Sequence, residues 1–230
     1  MLINTHFIIS KSILENIESS KSFFISKKNF IYGNIKPDIS SKYVLSKHYL
    51  EESLSMILDK INHLCQLTLD SLKRYFSISK LSQELGVICH FLCDFFTAPH
   101  SERWEFTHSM NKHVTYEKEL ASYAKNMDFS NCNLNYEIDR TVEDFFHEVY
   151  KKYKSCNISY ENDLKYSAYV CNTIVNHVLD FIIMFYAILG SIGNYDNHAN
   201  TASHDINDWW IVLHNHDNLA IIAINVSNNQ

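Results

Sequence analysis

Residues 81–96 read as a helix that is apolar nearly all round, and such a helix has no solvent face to offer, so the chain must cover it on every side. Turn-forming residues decide what does the covering. The 230 residues include only 4 Gly and 2 Pro, too few for a barrel or sandwich that needs turn residues at every hairpin. The expected fold is all-α, a bundle of five or six helices, with 46% hydrophobic residues to fill one sizeable core.

Apolar spacing predicts helices over residues 4–19, 47–75, 81–96, 112–124, 138–154 and 162–192. Gly33 and Pro37 place residues 29–38 in a loop, and a polar, Asn-rich interruption is expected at 126–135. Pro99 ends the central helix, because proline disfavours the helical conformation in the residue before it. The most apolar run, 181–189, is about half of the ~20 residues that span a bilayer, and reads as a buried helix. Residues 209–213 and 219–226 are β-favouring and suggest a short hairpin with a five-residue loop at 214–218. The expected organisation is a helical domain over 1–200 and a C-terminal tail, 201–230, packed on it.

Composition narrows the function. The net charge of −6 repels nucleic-acid phosphates, so no nucleic-acid partner is expected. The six cysteines lack the short, regular spacings of a disulfide scaffold, and the first residues lack the basic and apolar stretches of a secretory signal. A cytoplasmic, monomeric protein with reduced thiols is the expectation, with export by another route left open.

The 13 histidines are the outlying number. Four are followed four residues later by a carboxylate, against about two expected by chance, and that spacing puts both side chains on one helix face. They are His48/Glu52, His90/Asp94, His113/Glu117 and His204/Asp208. His90/Asp94 stands apart because a carboxylate on an apolar helix costs several kcal/mol (of order 3–5) unless it is paired or bound to metal. Each proline precedes another ligand-type residue, Pro37 before Asp38 and Pro99 before His100, as expected where a loop ligand needs a fixed backbone.

The ordered set His6, Asp38, His48, His90, Asp94, His100, His113, Glu117 resembles the ligand set of the bacterial zinc-dependent phospholipase C family, relatives of the fungal single-strand nucleases. The matching text is Thr5-His6, Gly33-Asn-Ile-Lys-Pro-Asp38, His48, His90-x3-Asp94-x5-His100 and His113-x2-Tyr-Glu117. The resemblance implies three zinc ions. Asp38, His48, His90 and Asp94 would hold one, with Asp94 bridging to a second bound by His6, and His100, His113 and Glu117 would hold the third. In the family the second zinc also takes the α-amino group and carbonyl of an N-terminal tryptophan, and Met1 would supply them here.

The implied reaction is phosphodiester hydrolysis by a metal-activated water, with Asp38 orienting or deprotonating that water. A phospholipid is the first-choice substrate, with transient membrane contact through Trp209 and Trp210. The alternatives are a single-strand nuclease or 3′-nucleotidase, and a non-catalytic zinc-binding relative. The residue after Asp38, aromatic in choline-recognising members, is Ile39 here, which argues against choline; Tyr43, Trp104 and Phe106 are the remaining aromatic surfaces for a cation.

Overall fold

The computed structural model describes residues 1–40, 48–67, 76–104, 110–130, 138, 140–195, 209–215 and 218–224, with side chains up to 184. The fold is all-α. In chain order the helices are α1 (Ile3–Asn16), α2 (Ser19–Ser22), α3 (Lys27–Ile39), α4 (Leu50–Cys65), α5 (Ile78–Phe95), α6 (Ala98–Ser101), α7 (Met110–Ala124), α8 (Val142–Ser155) and α9 (Tyr160–Tyr195).

The expectation of a central helix holds for α5. From Leu85 to Phe95 every residue is buried, and α3, α4, α9 and α1 pack around it. Its start is set by Ser77, whose hydroxyl accepts the Lys80 backbone N–H at 3.3 Å. α8 shows the same logic on the surface: Thr141 caps it, Glu143 and Asp144 sit in its first turn, and Lys152 and Lys154 in its last. The stretch Tyr160–Met184 of α9 is long and apolar enough to cross a membrane, yet it lies two-thirds buried inside the bundle. Ala168, Val175 and Val178 are at 0% exposure, which makes this part of α9 a core helix.

Residues 29–38 are a helix, not the loop that Gly33 and Pro37 suggested. Gly33 is there for contact. A Cβ built on Gly33 would stand 2.2 Å from the Gln83 carbonyl oxygen, and one on Gly86 would stand 2.3 Å from that of Phe30. The two glycines therefore let the backbones of α3 and α5 meet directly. Pro37 withdraws one N–H from the last turn, and the helix stops two residues later.

The predicted helix 47–75 is shorter in the structure, ending at Cys65 with Gln66 as its cap; residues 68–75 lie outside the described residues. At the C-terminal end, Trp209–Asn215 and Asn218–Ile224 form an antiparallel pair. The pairing extends to Asn215 opposite Asn218, so two residues, not five, connect the strands.

Gly86→Ala tests the helix crossing. In an open helix alanine is favoured by about 1 kcal/mol, but here overpacking is expected to lower stability by about 1–3 kcal/mol in urea unfolding. A stabilised variant would show that the backbones do not touch.

Candidate metal centre

One end of the bundle gathers ligand-type residues from six places. The N-terminus of α1 brings Met1 and His6, the last turn of α3 brings Asp38, and His48 precedes α4. The middle of the cluster is His90 and Asp94 on α5; His100 comes from α6, and His113 and Glu117 from α7. All nine residues singled out in the sequence meet there. Neither proline leads to a loop ligand as expected: Pro37 lies in the last turn of α3 and Pro99 in the first turn of α6, where its fixed φ suits a helix start.

His90 shows how the centre is held. Its Nδ1–H donates to the Asn34 carbonyl at 2.7 Å, so Nε2 carries the lone pair and faces the cluster. That nitrogen lies 3.2 Å from His48 Nδ1, 3.3 Å from Asp94 Oδ2 and 3.6 Å from Asp38 Oδ1. The Asn34 carbonyl is within reach because Gly33 and Gly86 allow the helices to close. Asp94 faces two ways. Its Oδ2 is 2.7 Å from His48 Nδ1, while its Oδ1 is 3.4 Å from His6 Nε2 and 2.5 Å from the Met1 amine.

A second group stands beside the first. Glu117 Oε1 is 3.1 Å from His113 Nε2 and 3.3 Å from His100 Nε2. The Met1 amine joins the two groups, 3.1 Å from Glu117 and 3.2 Å from His100 Nε2. Three sets of donor atoms lie within 4.8 Å of one another: His6, Asp38 and His90; His48, His90 and Asp94; and His100, His113 and Glu117. His6 thus groups with Asp38 and His90 as well as with Asp94, its ring stacked 4.0 Å from that of His90.

The electrostatics favour cations. Burial opposes charge on Asp94, but the Met1 ammonium and the surrounding imidazoles hold its carboxyl well below the usual range. Burial likewise opposes charge on Glu117, and the same ammonium with hydrogen bonds from His100 and His113 hold it low. In return, Asp94 outweighs the burial of His6 and pushes it up to about 9, and Asp94 with Glu117 push the Met1 amine up to about 11. Burial, together with the charge on His6, keeps His90 well below its ordinary value and therefore neutral. Burial raises Asp38.

These residues fit zinc. Donors 2.0–2.1 Å from a tetrahedral ion stand about 3.3 Å apart, and the contacts from His90 to His48 and Asp94 and from Glu117 to His100 and His113 cluster at that spacing. Neither ring nitrogen of the fully buried His6 makes a well-aligned hydrogen bond among the described residues, a costly arrangement for a group with no ligand. Imidazoles and carboxylates are the donors that zinc takes in open sites, and zinc on His6 would displace the proton that Asp94 otherwise holds there.

The profile of the family described as zinc dependent phospholipase C matches residues 5–171. The chain belongs to that family. No curated protein and no solved structure matches it. Membership assigns a zinc-dependent hydrolase of the phospholipase C type, and the matched span contains Asp38, His90, Asp94, Glu117 and the histidines of the cluster.

The remaining candidates separate from the centre. Glu52 pairs with Arg103 at 2.6 Å instead of serving His48. Trp104 is buried, edge-on to Tyr116 at 5.0 Å, with the Lys112 ammonium over its ring, and is an anchor in the core. Tyr43, Phe106, His108, and the side chains of His204, Asp208, Trp209 and Trp210 lie outside the described residues. The Asn34 carbonyl was missed because a backbone acceptor leaves no mark in a sequence.

Asp94→Asn tests the cluster without metal. Neutralising the carboxylate leaves the buried amine and imidazoles without a counter-charge, and is expected to cost about 3–5 kcal/mol. Denaturant unfolding of chelator-treated protein reads it; a loss under about 1 kcal/mol would show that Asp94 is not the charge on which the cluster closes.

Proposed function

We propose that this chain binds three zinc ions and hydrolyses phospholipids as a phospholipase C does, at the phosphoester bond on the diacylglycerol side, releasing the phosphorylated head group. The observation that carries the reading is the buried Asp94, whose two oxygens face different donor sets. In this assignment Asp38, His48, His90 and Asp94 would hold one ion, and Asp94, His6 and Met1 a second. His100, His113 and Glu117 would hold the third.

Zinc bound there supplies Lewis-acid neutralisation of the phosphate oxygens and lowers the pKa of a coordinated water toward about 7. The protein groups do the rest. The Asn34 carbonyl locks the tautomer of His90, so that one nitrogen stays available as a donor. Asp38, whose side chain keeps 24% of its surface while that of Asp94 keeps 1%, is the carboxylate that substrate water can reach, and it takes the proton from the attacking water. Attack by water needs no side-chain nucleophile. The net charge of −6 does not oppose an anionic substrate, because bound ions dominate the local field.

Exposed apolar side chains support a lipid substrate. Ile3 on α1, Ile39 beside Asp38, and Met110 and Val114 flanking His113 are exposed large apolar side chains on the elements that carry the ligands. Exposed side chains of this kind suit contact with a lipid interface.

Untagged protein purified without chelator is expected to carry close to three zinc, to cleave a short-chain phospholipid and to leave single-stranded DNA intact. Asp38→Asn should lower kcat at least about a hundredfold while two or more zinc remain. A paired change of Ile39 and Met110 to Ser should slow hydrolysis of vesicles but not of a soluble monomeric phosphodiester. Cleavage of DNA in preference to short-chain phospholipids would establish the nuclease reading instead, and zinc without any hydrolysis the non-catalytic one.

A further inference from the structure

The first turn of α9 carries a carboxylate that the chemistry above does not use. Asp163 is fully buried. Its Oδ2 accepts the Ala98 backbone N–H at 2.9 Å and the Tyr116 hydroxyl at 3.0 Å, and its Oδ1 accepts the Tyr153 hydroxyl at 2.9 Å. The three donors come from three elements, α6, α7 and α8.

Two of them adjoin the same donor set. Ala98 opens α6, two residues before His100, and Tyr116 directly precedes Glu117 on α7. Ala98 is in the first turn of a four-residue helix, where its N–H has no partner within the helix, and Pro99 has no N–H to offer. Apart from Asp163, the segment is tied down by the Thr97 hydroxyl on the Asp94 carbonyl at 2.7 Å and by the Ser101 N–H on the Thr97 carbonyl at 2.8 Å. The first of these fixes α6 to α5. The Asp163 bonds tie α6 to α7 behind the ligands, where His100 and Glu117 face each other at 3.3 Å with the Met1 amine beside both.

We propose that Asp163 is a positioning residue for the His100, His113 and Glu117 site: through Ala98 and Tyr116 it holds the two sides of that site at zinc-binding separation. The inference rests on the zinc reading given above. It assigns to a carboxylate outside the cluster the integrity of one of the three sites, and leaves the sites on His6, His48, His90 and Asp94 independent of it.

The experiment is zinc binding per chain across a series of zinc buffers, for wild type, Asp163→Ala, Asp163→Asn and Tyr116→Phe, with His113→Ala marking which site is lost. Asp163→Ala is expected to weaken one site by about 10–100-fold, the same one that His113→Ala removes, with the others unchanged. Asp163→Asn keeps an oxygen for the Ala98 N–H and should recover most of that loss, and Tyr116→Phe should show a smaller one. A lower Tm with unchanged affinity at every site would overturn the proposal, and so would weakening of all sites together. Should Asp163→Ala fail to fold, unchanged affinity in both Asp163→Asn and Tyr116→Phe overturns it equally. Wild type that binds no zinc overturns the zinc reading itself, and this inference with it.

Discussion

A carboxylate buried in the last turn of an apolar helix imposes a condition on everything around it. Asp94 sits at zero exposure among Phe91, Leu92 and Phe95, in surroundings where a lone ion costs several kcal/mol (of order 3–5). Positive charge or hydrogen-bond donors must therefore converge on it from other elements. They do so from Met1 and His6 at the start of α1, from His48 ahead of α4 and from His100 on α6, which fixes where those elements end relative to α5. The bundle is organised around this point as much as around its apolar core.

Much of this was legible in the chain itself, for identifiable reasons. An all-round apolar helix has only one place in a bundle, so the position of α5 followed from its composition. His90 with Asp94 and His113 with Glu117 share a helix face by spacing alone, whereas the prolines beside Asp38 and His100 suggested loops where the chain is helical. What was not legible depended on partners distant in the chain. Gly33 and Pro37 are breakers when read locally, and only the presence of Gly86 on another helix turns that segment into α3. Asp163 reads as an ordinary acidic residue in the first turn of a helix; its three donors are separated from it by 10 to 65 residues. The short connection between the two strands was hidden because His214, Asn215 and Asn218, polar residues with turn character, belong to the ladder.

The centre combines two kinds of support. Close to the ligands, backbone and side-chain hydrogen bonds orient single groups, as the Asn34 carbonyl does for His90. Further out, Tyr116, Tyr153 and the Ala98 N–H gather on one carboxylate and tie helices to each other. The first kind determines which atom each residue presents. The second determines how far apart the presenting elements stand, and for a cluster of ions that separation is the quantity that matters most.

The glycine crossing of α3 and α5 bears on how such a site changes over time. Because the acceptor for His90 is a peptide carbonyl, no side-chain replacement at position 34 removes it, and outside Gly33 and Gly86 the basicity of that imidazole is insulated from substitution. Only a shift of one whole helix against the other would alter it, and two backbones already in contact leave no slack for such a shift. Substitutions on the outer rim are then free to accumulate. Selectivity for the molecule being cleaved is able to drift while the chemistry that cleaves it stays in place.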